Sequence, residues 1–188
     1  LYIAHEDVLN IPKKIMMCAL ACSDNELFTY YKDPDKFLIL QEWQERLNAK
    51  LMYVPMVNPG GTYIEDVVDK IQQLQYERIQ KTGKGWDLVI SDFPAKLLTK
   101  SVGRNEETRS KMYFVYGQFA DLAEKHEFHT LVAVQANRAG ARASRDNERA
   151  LYVEDVAEAW GIPQLATNFI AIGNSDAHQN QRKILFHI

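Results

Sequence analysis

The feature that most constrains this chain is a set of short runs that are apolar throughout, separated by stretches with helical periodicity. Residues 1–4, 86–91 and 130–134 lack the alternation of a strand with one wet face. Between them, Ile64, Val67, Val68, Ile71 and Leu74 recur at helical spacing, as do Met112, Val115, Phe119, Leu122 and Ala123. Apolar strands alternating with helices specify a parallel sheet covered on both faces, an α/β architecture. Such sheets bind ligands beyond the carboxyl ends of their strands. Attention therefore falls on Glu6, on Asp92, on Gln135 with Asn137 and Arg138, and on the segment after Ile172.

The remaining elements follow from local signals. Val8, Ile11, Ile15, Ala19 and Cys22 predict a helix over 8–22, with Pro12 tolerated in its first turn. Asp33-Pro34-Asp35 reads as a loop, and Leu40, Trp43 and Leu47 mark a helix over 37–50. Residues 51–57 read as a strand that Pro55 places near an edge. After the turn Asn58-Pro59-Gly60-Gly61, Thr62-x-x-Glu65 has the form of a capping box. Gly83 and Gly85 end the helix that follows. Residues 99–110 and 137–150 read as polar loops. Residues 153–160 predict a short helix closed by Gly161, and 168–172 and 183–188 predict the last strands. The chain opens and closes on apolar strands without an initiator Met, so a larger protein cut at both ends is expected.

At about 150 residues per domain, 188 residues make one domain. A net charge of −3 shows no global basic excess of the kind that marks many nucleic-acid binders. No apolar run nears the ~20 residues of a membrane span, and no signal peptide opens the chain. A cytoplasmic protein without a membrane partner is expected. Cys18 and Cys22 cannot build a disulfide framework; without further well-placed ligands they read as buried thiols sharing a helix face. His126, His129, His178 and His187 receive no catalytic role, and Trp43 and Trp160 read as covering core edges.

Asp92 stands at the tip of an apolar strand, where a hard oxygen suits magnesium; a turn residue or helix cap is the alternative. Glu6 stands just past another strand, either as a base for an attacking water or as an acid favoured by a helix dipole. In Gln135-Ala136-Asn137-Arg138 the Gln can sense a phosphate and the Arg can pair with one, or the segment simply starts a polar loop.

Together these segments resemble the motor of DnaB-type replicative helicases, of phage or bacterial kind. Leu1-Tyr2-Ile3-Ala4-His5-Glu6-Asp7 resembles the family's strand ending in Ser-Leu-Glu-Met. Asp87-Leu88-Val89-Ile90-Ser91-Asp92-Phe93 resembles its Walker B strand. Val132-Ala133-Val134-Gln135-Ala136-Asn137-Arg138 is similar to the strand ending in Ser-Gln-Leu-Asn-Arg, and the stretch from Glu154 to Pro163 to a later acidic helix. The four occur in the family's order across nearly the whole chain. The resemblance implies a RecA-like core. Glu6 would be the catalytic base, Asp92 the holder of magnesium, Gln135 the γ-phosphate sensor and Arg138 a phosphate partner. ATP and Mg2+ would be the cofactors. Lys96, Lys100 and Arg104 on one loop, with Arg142, Arg145 and Arg149 on another, would line a pore around single-stranded DNA; a solvated face is the alternative. A homo-hexamer moving 5′ to 3′, with primase and a helicase loader as partners, is also implied.

Some residues depart from the family. His5 and Asp7 replace the usual apolar neighbours of the glutamate, and Pro94 and Ala95 the usual residues after Walker B. No Gly-x-x-x-x-Gly-Lys-[Ser/Thr] loop occurs in the 188 residues; it is expected before Leu1, and the arginine finger beyond Ile188. Two other readings stand beside this one. One is a different RecA-like ATPase of recombinase or clock type; the other is a non-catalytic α/β scaffold without a phosphate loop. The 188-residue chain by itself is expected neither to bind ATP tightly nor to unwind DNA, and measurable ATP turnover by it would overturn that expectation.

Overall fold

A computed structural model describes residues 1–5, 10–58, 60–101, 108–146, 151–156, 161–173 and 185–187. Four strands form one parallel sheet in the order β2-β1-β3-β4: β1 is Tyr2–Ala4, β2 Tyr53–Pro55, β3 Leu88–Asp92 and β4 His129–Val132. In register, Tyr2, Ile3 and Ala4 lie opposite Ile90, Ser91 and Asp92. Pro55 sits on the outer strand β2, as its missing N–H requires.

Helices α4 (Ile64–Thr82) and α5 (Thr108–His126) cover one face. Ile64, Val67 and Ile71 of α4 pack with Val115, Phe119 and Leu122 of α5 on Ile3 and Val89. These are the residues that helical spacing singled out, and their burial holds the layer together. The other face is less covered than the apolar strands implied: Leu88 is 40% and Leu131 52% exposed. The run over 130–134 is likewise not a buried central strand. It becomes β4, the edge of the described sheet, where only one neighbour is available.

Three helices separate β1 from β2: α1 (Ile11–Leu20), α2 (Asp24–Lys32) and α3 (Pro34–Lys50). The Asp33-Pro34-Asp35 segment is not a loop. The Asp33 carboxylate caps the backbone N–H groups of Asp35 and Lys36, and Pro34 occupies the first helical position. The capping box lies elsewhere than expected. Ser23 and Glu26 form one at the start of α2, each accepting from the other's backbone N–H. Thr62 and Glu65 do not, because the Thr62 hydroxyl donates to the Met56 carbonyl. Helix α1 ends before Cys22, so the two cysteines share no helix face, and Cys18 is exposed rather than buried.

Residues 138–145 form a helix, α6 (Arg138–Arg145), where a loop was expected. Its start is capped by Asn137, which accepts from the Gly140 N–H at 2.8 Å. The segment over 153–160 holds one 3-10 turn, Val153–Asp155, in place of the predicted helix start. The last strands, β5 (Ala171–Gly173) and β6 (Leu185–His187), pair antiparallel as a separate sheet, not within the parallel one. Among the described residues no helix is long and apolar enough to cross a membrane. Val8, residues 99–110 in part, Trp160 and His178 lie wholly or partly outside the described residues.

The entry to β3 depends on one buried amide. The Gln75 side-chain oxygen accepts from the buried Trp86 N–H at 2.8 Å. Gly85 must lack a side chain there, since a Cβ would collide with that amide. Replacing Gln75 with Leu leaves a buried donor unpaired. Urea titration should then show a loss of about 1–3 kcal/mol of stability at unchanged slope.

Candidate functional site

Parallel pairing brings the carboxyl ends of β1, β3 and β4 to one edge of the sheet, the edge expected to bind a ligand. Asp92 ends β3, half-buried, with its backbone carbonyl accepting from the His5 N–H at 2.9 Å. Its side-chain Oδ2 accepts the Tyr2 hydroxyl at 2.6 Å. Burial, with the adjoining carboxylate, pushes the Tyr2 phenol well above its ordinary pKa, so it stays a donor.

On the opposite side of the same two strands, His5 and Ser91 share a hydrogen bond of 2.9 Å between Nε2 and Oγ. Both are buried, Ser91 completely. Removal from water lowers the His5 pKa to about 4, so the imidazole is neutral at physiological pH. Neither Tyr2 nor this His–Ser pair was singled out in the sequence. His5 registered only as a departure beside Glu6, and Tyr2 as one apolar strand residue.

Gln135 follows β4 and is exposed, three residues past the position paired with Ser91. Arg138, also exposed, opens α6. The segment is held by Asn137, whose N–H donates to the Asp155 carbonyl at 2.6 Å and whose side chain donates to the Glu154 carbonyl. Gly140 packs on the Asp155 side chain with no room for a Cβ. Tyr116 of α5 donates to the Ala133 carbonyl at 2.9 Å, so this tip is tied to the core.

The basic residues are distributed over two supports. Lys96 is exposed on a single 3-10 turn, Pro94–Lys96. Lys100 pairs with Asp66 at 2.8 Å. Its backbone N–H, with the Thr99 and Ser101 hydroxyls, donates to one oxygen of Glu65 at 2.8 to 3.0 Å. Burial by itself would raise the Glu65 carboxyl; the hydrogen bonds bring it below its ordinary value. Arg142 and Arg145 project from α6 and both reach Asp146, at 3.6 and 3.2 Å. Glu6, Arg104 and Arg149 lie outside the described residues.

No protein-family profile matches the chain, and no curated protein matches it in sequence. Solved structures do match in shape. One is an ATPase domain from the DnaB-like replicative helicases, with a TM-score of 0.72 at 12% identity, over 97% of this chain and 61% of that one. A second is a DnaB-like replicative helicase studied with its interactions with primase; its TM-score is 0.71 at 13% identity, over 97% of this chain and 42% of that one.

The chain has the RecA-like fold of a helicase ATPase domain. It spans 61% and 42% of those two chains. Domains of this fold use nucleotide and magnesium, and one residue here suits the metal. Asp92 offers a hard oxygen at a strand tip, and among the described residues no group of three or more His, Cys, Asp or Glu gathers elsewhere to hold an ion. A single carboxylate is what magnesium needs where substrate phosphates and waters complete its shell. A phosphate-cradling glycine loop does not occur in the 188 residues, so only the carboxylate side of such a site is provided here.

The buried His5 has a measurable consequence. Its folded pKa of about 4 lies below the ordinary 6.5. Above pH 6.5 the ring is neutral in both states and contributes no slope. As pH falls from there toward about 4, the unfolded chain binds a proton that the folded chain refuses, so stability falls. By about pH 4.5 the loss attributable to this residue should be about 2–3 kcal/mol. It should appear as the difference in acid destabilisation between the wild type and His5→Gln, measured by urea unfolding.

Proposed function

We propose that this chain is part of the ATP-driven motor of a ring-forming replicative DNA helicase that moves on single-stranded DNA and unwinds duplex. The observation that supports this most is the placement of Asp92 at the β3 tip beside the end of β1, within the helicase ATPase fold. In this reading Glu6, next after His5, polarises the attacking water. Asp92 holds magnesium near the phosphates. Gln135, at the neighbouring strand tip, senses the terminal phosphate, and Arg138 pairs with phosphate oxygens. Bound ATP and magnesium would supply the phosphoryl group and its charge neutralisation. The chain's own residues hold, orient and accept a proton.

Lys96, Lys100, Arg104, Arg142, Arg145 and Arg149 would face the DNA backbone. Arg142 and Arg145, each against Asp146, can exchange that carboxylate for a phosphate at small cost, since exposed pairs are weak. A homo-hexameric ring in the cytoplasm of a bacterial or phage-infected cell fits this reading. Primase and a loader are its expected partners.

The test uses the intact protein. Asp92→Asn and Glu6→Gln should each lower DNA-stimulated ATP turnover on the order of 100-fold or more, with the folded state retained by circular dichroism. Arg142→Ala and Arg145→Ala should weaken single-stranded DNA binding, each reducing the salt slope by about one. Turnover unchanged by both carboxylate substitutions would refute the assignment. Absence of any turnover in the intact protein would favour the scaffold reading instead.

A further inference from the structure

The hydroxyl of Tyr2 is spent on one oxygen of Asp92, and this bears on which cation the carboxylate can take. The register sets Tyr2 opposite Ile90 and Ala4 opposite Asp92, so Tyr2 and Asp92 are diagonal neighbours on one face of the sheet. Ala4, directly opposite Asp92, is too short to engage it. The phenol reaches across and donates to Oδ2 at 2.6 Å, the length of a charge-assisted bond. Its ring is placed from the other side by Tyr53 on β2, with centroids 5.9 Å apart. Behind Asp92, the buried His5–Ser91 bond joins the same two strands. Three strands thus fix the phenol and the carboxylate relative to each other. Among the described residues, Oδ1 receives no comparable side-chain donor.

A carboxylate so held can offer a cation one oxygen readily and two only by giving up the phenol. Magnesium and manganese accept one carboxylate oxygen within a compact octahedral shell. Calcium, with about 6–8 longer bonds, gains from bidentate carboxylates. We propose that Tyr2 is a positioning residue that makes Asp92 a single-oxygen ligand and so biases the site toward a small divalent cation over a large one. This rests on the reading of Asp92 as the metal carboxylate.

The experiment measures Mn2+ binding to the intact protein with ADP, from the free-Mn2+ paramagnetic resonance signal, and its displacement by Ca2+. Tyr2→Phe keeps the ring on Tyr53 and removes only the donor. It should shift the Ca2+-to-Mn2+ affinity ratio about 3- to 10-fold toward Ca2+, the size expected for one hydrogen bond, with an unchanged melting temperature. Placing 4-aminophenylalanine at position 2 restores a donor and should restore the ratio. Asp92→Asn should weaken Mn2+ binding at least tenfold. If Asp92→Asn weakens binding while Tyr2→Phe leaves the ratio unchanged, the role of Tyr2 is refuted and the metal assignment stands. If Asp92→Asn binds Mn2+ as the wild type does, the metal assignment fails and the role of Tyr2 with it. A ratio shift that the amino analogue does not reverse would also refute a donor role.

Discussion

Everything in the candidate site depends on the parallel pairing of β1 with β3. Because side chains alternate along a strand, this one register divides the residues of both strands between two environments. Ile3 and Val89 face α4 and α5, with Ser91 and its partner His5 buried on that side. Tyr2 and Ala4, with Ile90 and Asp92, face the other way. A slip of one residue would exchange the two sets. It would bring the Asp92 carboxylate toward Phe119 and Ile71, where no donor meets it, and turn Ile3 outward. The apolar load on one side and the charge on the other therefore select the same register.

The supports of the basic residues show how one side chain can replace a local motif. Glu65 occupies the position that a capping box would assign to a backbone N–H of its own helix. It gathers the Thr99 and Ser101 hydroxyls and the Lys100 N–H instead. The result ties the segment after β3 to the first turn of α4. Ser23 and Glu26, with the same spacing and no such competing donors, form the box. The difference lies in what the fold delivers nearby, not in the four-residue pattern.

Legibility in the sequence followed the strength of periodicity. Helices α4 and α5, each with a long apolar stripe, lie where spacing put them. Helix α6 was unreadable because Arg138–Arg145 has almost no apolar face. It is stabilised by the Asn137 cap and by Gly140 seated on Asp155, which lies 15 residues further along the chain. Strand β4 looked central because it is apolar, but apolarity does not reveal how many neighbours a strand has. Cys18 looked buried by residue type, yet its helix shows only Ile11 fully to the interior. Of the site, Asp92 and Gln135 were visible as polar residues ending apolar runs. Tyr2 and His5 were not, since nothing local marks their partners.

The sequence by itself determined the alternation of strands and helices, the face that α4 and α5 bury, the edge position of β2 through Pro55, and the carboxylate at the tip of β3. These follow from spacing, backbone chemistry and the cost of burying charge, all of which act within a few residues. Only the tertiary structure decided that the Tyr2 hydroxyl meets Asp92, that His5 meets Ser91 and that Glu65 holds 99–101. Those partners are 90, 86 and about 35 residues apart along the chain. Their meeting is set by inter-strand hydrogen bonding and helix packing, which no local pattern encodes.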